Sequence, residues 1–235
     1  DPDPLHRLLA GEEQGPLVVE VGPTRGCNHA CVHCGFQQYE PYSKDKAFLQ
    51  RRPFEAFLND FLSLGGREIY FAGNGEPLLN PIVPDFMALG ASMGLDMSLS
   101  TNGEHLVGET METIVENAAW VRFSVGGGNP EAFSRVHRVE SSVFQTVMDN
   151  IGRAVEHKNK TNSQVNLSIQ FIMYSLNHES ARDMVAAHKE LGTDTLQIRG
   201  VNFRKERDIK PQVLDTLKTL VEQHSSDPSI DIRQD

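Results

Sequence analysis

The 235-residue chain has only three cysteines and one tryptophan, and no apolar run near the roughly 18 residues a membrane helix requires. It also lacks a basic excess: 22 Lys and Arg stand against 32 Asp and Glu, a formal charge of −10. No face is expected to neutralise the phosphates of a duplex, so nucleic acid is not an expected partner. The start, DPDPLHRLLAGEEQGP, lacks the basic head and apolar core of a secretory signal, so the expected location is the cytoplasm, away from membranes. The first residue is Asp rather than Met, so the chain is open to being part of something longer. Hydrophobic residues make up 39%, with 19 glycines besides, which suits a globular domain and excludes disorder as the main state.

The cysteines inform by position. Cys27, Cys31 and Cys34 all fall within CNHACVHC, and an odd, clustered set is wrong for a disulfide framework and right for a metal. A [4Fe-4S] cluster wants four thiolates, so three would leave one iron with an open coordination position for a substrate or cofactor. The other reading is zinc held by Cys27, Cys31, Cys34 and either His29 or His33, a non-catalytic binding module.

Around that loop, β-branched runs alternate with segments of helical apolar spacing. Strands are predicted over 17–22, 68–72, 96–101, 120–125, 165–173 and 195–200, and helices over 53–66, 80–94, 109–119, 141–158, 178–192 and 210–225. Gly65, Gly94 and Gly192 stand where a helix end wants a left-handed residue, and Asn80 before Pro81 looks like a cap. The repeated order predicts an α/β fold, a partial (β/α)6 barrel of parallel strands. Residues 1–16 are read as a lead-in, 17–225 as the barrel and 226–235 as a C-terminal tail. The polar, glycine-rich turns GPTRGC, GNGEP, TNGE and GGGNP follow successive strands, on the rim where such barrels carry their chemistry.

The C-x3-C-x2-C spacing just after a first strand resembles the signature of the radical S-adenosylmethionine (SAM) enzymes, and the resemblance extends along most of the chain. It implies a [4Fe-4S] cluster on Cys27, Cys31 and Cys34, with the amino and carboxylate groups of SAM on the fourth iron. His33 stands where relatives often have an aromatic residue and is expected to shield the cluster. FAGNGEP is similar to the family's GGEP segment, with Asn74 between Gly73 and Gly75; Glu76 is then expected to accept hydrogen bonds from the SAM ammonium. LSTNG resembles the strand facing the adenosyl ribose, which offers Ser100 and Asn102. FSVGGGNPEAFSRVHR resembles the SIDG stretch of relatives, with Ser124 toward the ribose or carboxylate and Arg138 or Arg135 toward the carboxylate. Gly126 replaces a frequent Asp there, a change expected to reshape the substrate side of the pocket. Gln170 and Arg199 are polar residues in otherwise apolar strands and are further pocket candidates. The loop FRKER is a basic island that reads as a solvated loop or an anion contact.

By the same resemblance, the reduced cluster cleaves SAM to methionine and a 5′-deoxyadenosyl radical, which takes hydrogen from a substrate. Three function classes compete: radical chemistry on a small molecule such as a sugar or nucleoside, modification of a ribosomally made peptide, and the metal-binding module. The short N-terminus favours the small molecule, because peptide-modifying relatives usually carry a recognition domain there. A flavodoxin or ferredoxin is the expected electron donor. The ending LQIRG is most similar to relatives with a cysteine-rich SPASM or twitch extension, so either that extension is missing or the core stands alone. Tyr174 is the position where a stand-alone core could carry a hydrogen donor, although packing is the commoner role for such a tyrosine.

Overall fold

A computed structural model describes residues 11, 15–35, 47–200 and 210–234. Seven strands form one parallel sheet in sequence order, and the first and last do not pair, so the barrel is open. They are β1 (Val18–Val21), β2 (Glu68–Phe71), β3 (Asp96–Thr101), β4 (Trp120–Ser124), β5 (Asn166–Met173), β6 (Thr195–Gly200) and β7 (Ile230–Gln234). The first six lie where the alternation places them. The seventh falls in the segment read as a tail: SIDIRQ is short and mostly polar, and its ladder with β6, Leu196 opposite Ile230, makes it a strand.

The helices are α1 (Arg51–Ser63), α2 (Val83–Ser92), α3 (Gly108–Asn117), α4 (Pro130–His137), α5 (Ser142–Thr161), α6 (Ala181–Leu191) and α7 (Pro211–His224). Parallel neighbours need such crossovers, because a tight turn cannot return the chain to the same end. Two predicted helices are shorter. Pro77–Leu79 and His178–Ser180 are single 3₁₀ turns ahead of α2 and α6. Asn80 does not cap α2; its side-chain Oδ1 accepts the Ile82 N–H, while its side-chain Nδ2 donates to the carbonyls of Pro23 and Leu49. Gly65, Gly94 and Gly192 take the left-handed φ their positions predicted. The helix α4 was not anticipated. Asn129 caps it through the Ala132 N–H, with Pro130 at its first position.

Strand alternation sorts the sheet into two faces. Ile69, Phe71, Met97, Leu99, Val121, Phe123, Leu167, Ile169, Leu196 and Ile198 point to the helices and are buried. Phe54, Leu58 and Phe61, spaced for one face of α1, meet them there, with the Phe54 ring 5.5 Å from Phe71 and 4.3 Å from Phe86. Each such side chain contributes about 1.5–3 kcal/mol by leaving water. The opposite face is polar: Tyr70, Ser100, Arg122, Ser124, Gln170 and Arg199 occupy neighbouring register positions there.

Candidate active site

The cysteine loop leaves the end of β1 and is held at three points. Thr24 bridges to Phe48, and its hydroxyl accepts the Gly26 N–H at 3.1 Å. The Glu76 N–H donates to the Gly26 carbonyl at 2.8 Å. Further along, the Ala30 and Val32 N–H groups donate to the carbonyls of His137 and Val136, at 3.0 and 2.9 Å, so the unpredicted helix α4 is the loop's anchor. The Cys34 N–H donates to the Cys31 carbonyl at 3.0 Å and closes a turn between the last two cysteines. All three cysteines are free and half-buried. Burial pushes the Cys27 thiol up to about 11, with Glu76 and Cys34 adding to it, and the Cys31 thiol up to about 12, with Cys27, Cys34 and Glu76 adding to it.

Gly73 and Gly75 are required by backbone approach. Gly73 has φ +100, and a Cβ on Gly75 would stand 2.3 Å from the Gly26 carbonyl oxygen. The close approach is to the cysteine loop itself, and it brings the start of that loop against Glu76. Asn74 is exposed at the bend. Glu76 is buried, and its carboxylate accepts from the Leu78 N–H at 3.1 Å, the Thr101 hydroxyl at 2.7 Å and the Asn102 N–H at 2.7 Å. Burial raises its pKa above the ordinary value against the pull of those bonds.

From Asn102 a hydrogen-bonded chain runs back into the cysteine loop. The Asn102 amide donates to Asn28 at 2.8 Å, and Asn28 donates to Glu104 at 2.7 Å. Glu104 lies 2.8 Å from His29 Nε2, His29 Nδ1 lies 3.1 Å from His137 Nδ1, and His137 Nδ1 lies 3.2 Å from Cys31 Sγ. Burial holds both imidazoles below their ordinary pKa, although Glu104 pulls His29 back up. The other ring nitrogen of His137 accepts the Gly126 N–H at 2.8 Å. A Cβ at 126 would meet Val136 Cγ1 at 2.5 Å and His137 Nε2 at 3.1 Å, so glycine in place of the frequent Asp goes with this helix packing. His29, Cys31 and His137 bring three ligand atoms within 4.8 Å of one another.

The remaining expected residues divide. Ser100 faces the polar side of the sheet, where its hydroxyl accepts from Tyr70 at 2.8 Å and Arg122 Nε at 2.9 Å. Arg122 also donates to the Tyr70 hydroxyl and lies 5.5 Å from both the Tyr70 and Trp120 ring centroids. Gln170 pairs with Gln197 at 2.8 Å, and Gln197 with Asp231, a polar ladder across three strands. The hydrogen bond from Arg233 holds the Asp231 carboxyl below its usual value, and Gln197 and the nearby Arg199 add to the effect. Ser124 ends β4 on the same face, half-exposed. Arg138 is exposed as the left-handed residue closing α4, while Arg135 reaches the Leu176 carbonyl at 3.2 Å. The His33 ring packs edge-on against His137 and Tyr174, and burial raises the Tyr174 hydroxyl's pKa. FRKER lies outside the described residues.

Sequence reading missed Asn28, Glu104, Arg122 and His137. Three had a signal: Asn28 lies inside the cysteine motif, Glu104 directly follows TNG, and His137 precedes Arg138.

The donor set suits a cluster with one open position. The chain has three thiols on one loop and no fourth. A single zinc ion would hold its thiolates about 3.8 Å apart, from Zn–S bonds of about 2.3 Å in a tetrahedron. The trio that the described residues gather within 4.8 Å is the histidine pair with Cys31, not the three thiols.

Residues 21–191 match the family model described as the Radical SAM superfamily. Fe-coproporphyrin III synthase of Methanosarcina barkeri is 32% identical over 128 residues, 53% of this chain and 30% of that protein. The dTDP-4-amino-4,6-dideoxy-D-glucose ammonia-lyase of Streptomyces venezuelae is 25% identical over 207 residues, 85% of this chain and 41% of that protein. The matched stretch thus covers less than half the length of either relative. The crystal structure of Streptococcus suis SuiB bound to S-adenosylmethionine shares the fold, with TM-score 0.72 and 12% identity over 98% of this chain and 53% of that one. With the family model covering well over half of its length, the chain belongs to the radical SAM superfamily.

Proposed function

We infer that this chain is the core of an enzyme that cleaves SAM reductively and directs the resulting radical chemistry at a polar small molecule, a sugar, a nucleoside or a similar biosynthetic intermediate. The superfamily's cofactors are a [4Fe-4S] cluster and SAM. Cys27, Cys31 and Cys34 would hold the cluster, which supplies with SAM a one-electron reduction and a carbon-centred oxidant for a substrate C–H bond.

The observation that carries this reading is the Glu76 carboxylate beside the thiol loop. It is buried, and its hydrogen-bond partners are neutral N–H and O–H groups, with no Lys or Arg ion pair among the described residues. A buried carboxylate without a cation favours a bound one, and an ammonium such as that of SAM meets the need. Gly73, Asn74 and Gly75 form the backbone beside it. Ser124 and Arg138 make no side-chain hydrogen bond among the described residues, which suits them to the ribose and carboxylate of SAM. Asn102 and Ser100 are engaged within the protein and act by positioning, Asn102 on the cysteine loop and Ser100 on Arg122.

The polar face of the sheet supports a hydrophilic substrate. Tyr70, Arg122, Gln170 and Arg199 give that face a bonded polar network with positive charge, and the S. venezuelae relative, aligned over 85% of this chain, is named for an amino sugar nucleotide. The electron is assigned to a flavodoxin or ferredoxin.

Anaerobic reconstitution with iron and sulfide, then dithionite and SAM, tests the reading. The expected result is 5′-deoxyadenosine by mass spectrometry, lost when any one of the three cysteines becomes Ala. Retained cleavage in Cys31→Ala, or zinc bound in preference to iron, overturns it.

A further inference from the structure

The two imidazoles beside the cysteine loop have their tautomers set from both ends. The Gly126 N–H can only donate, so His137 Nε2, 2.8 Å away, accepts and the ring proton resides on Nδ1. At the other end the Glu104 carboxylate accepts at 2.8 Å, so His29 carries its proton on Nε2 and leaves Nδ1 with a lone pair. The His137 Nδ1–H therefore points between two acceptors, His29 Nδ1 at 3.1 Å and Cys31 Sγ at 3.2 Å. Both histidines are buried, about 1% exposed, which excludes water as a competing partner. The His137 ring is clamped by stacking on Phe133, with centroids 4.1 Å apart and planes 20° apart.

We propose that His137 is a positioning residue that donates a hydrogen bond to the Cys31 sulfur and raises the reduction potential of the cluster this loop holds. The proposal rests on the assignment of Cys31 as a cluster ligand. Reduction adds one electron to the cluster and makes its thiolate sulfurs more negative. An N–H aimed at one of them then stabilises the reduced state more than the oxidised one. Helix α4 thereby has two tasks. It anchors the loop through the His137 and Val136 carbonyls, and it delivers an N–H to the sulfur through the His137 side chain. Glu104 and His29 act one step further out: by fixing His29 Nδ1 as an acceptor, they draw part of the same N–H away from Cys31.

The experiment is a dithionite titration of the reconstituted protein followed by electron paramagnetic resonance, on the wild type, His137→Phe and His137→Asn. Both variants lose the acceptor for the Gly126 N–H, so they share that disturbance. They differ in that the Asn amide places an N–H donor where His Nδ1 was. The expected result is a midpoint more negative than wild type in His137→Phe and restored toward wild type in His137→Asn. Equal midpoints in all three proteins, or equal shifts in the two variants, overturn the proposal. Should neither variant fold, wild-type protein labelled with ¹⁵N only at histidine decides it. A hyperfine coupling between the reduced cluster and a histidine nitrogen is expected, and its absence overturns the proposal. No cluster signal in any protein, wild type included, would instead remove the assignment of Cys31 on which the proposal rests.

Discussion

The Glu76 carboxylate accepts the Asn102 backbone N–H at 2.7 Å, joining the loop after β2 to the end of β3 beneath the cysteine loop. The same group accepts from Leu78 and Thr101, so Glu76→Ala leaves three buried donors without a partner. The expected loss is about 1–3 kcal/mol for each donor that water cannot reach. Chemical denaturation measures it.

Glu76 also makes a pH prediction. Burial raises its pKa, so the folded protein binds the proton more tightly than the unfolded chain, and ionisation costs stability as pH rises past the ordinary 4.5. Glu76→Gln has no group there to ionise. The stability difference, wild type minus Glu76→Gln, is therefore expected to shrink from pH 4 toward neutrality in the absence of SAM. A difference that grows over that range would contradict the direction of the shift.

Gly75→Ala places a methyl 2.3 Å from the Gly26 carbonyl oxygen, a contact relieved only by moving the backbone of the cysteine loop. The fold should survive, because this contact lies on the rim away from the hydrophobic core. Iron content after reconstitution should fall several-fold while far-ultraviolet circular dichroism stays that of the wild type.

Gly127→Ala makes a contrasting case. Its Cβ would stand 2.1 Å from the Phe133 backbone nitrogen, inside the first turns of α4. Forcing α4 off the end of β4 should cost about 1–3 kcal/mol, the range for overpacked interiors. Since α4 carries the anchor for Ala30 and Val32, thermal stability and iron loading should fall together.

Cluster assembly should speed up and tighten as pH rises. With the Cys27 thiol at about 11 and Cys31 at about 12, both are protonated in the empty protein at neutral pH and must release protons to bind metal. Reconstitution at pH 7.0 and 8.5, followed through the cluster's visible absorbance, reads this. Equal affinity at the two values would mean that the thiols are already ionised.

Much of the frame was legible in the residues. Six strands came from runs such as DMSLST and TLQIRG, whose β-branched and alternating content matches a sheet with one apolar face. The short polar β7 carried too weak a pattern, and its place comes from pairing with β6. The α4 segment, opening NPEAF after three glycines, read as loop because its capping Asn and Pro follow a turn signal.

What the sequence by itself determined is the local chemistry: three thiols in one short loop, the glycines that let GNGEP approach a neighbouring backbone, and the alternation that makes a parallel sheet. The tertiary structure alone decided which groups meet. Cys31 and His137 lie 106 residues apart, as Asn28 and Glu104 lie 76 apart, and no local period records such pairs. Strand ends that are distant in the chain converge on one rim because every strand of a parallel sheet runs the same way. That convergence turned Ser100 toward Arg122 and brought an unpredicted histidine to the sulfur of Cys31.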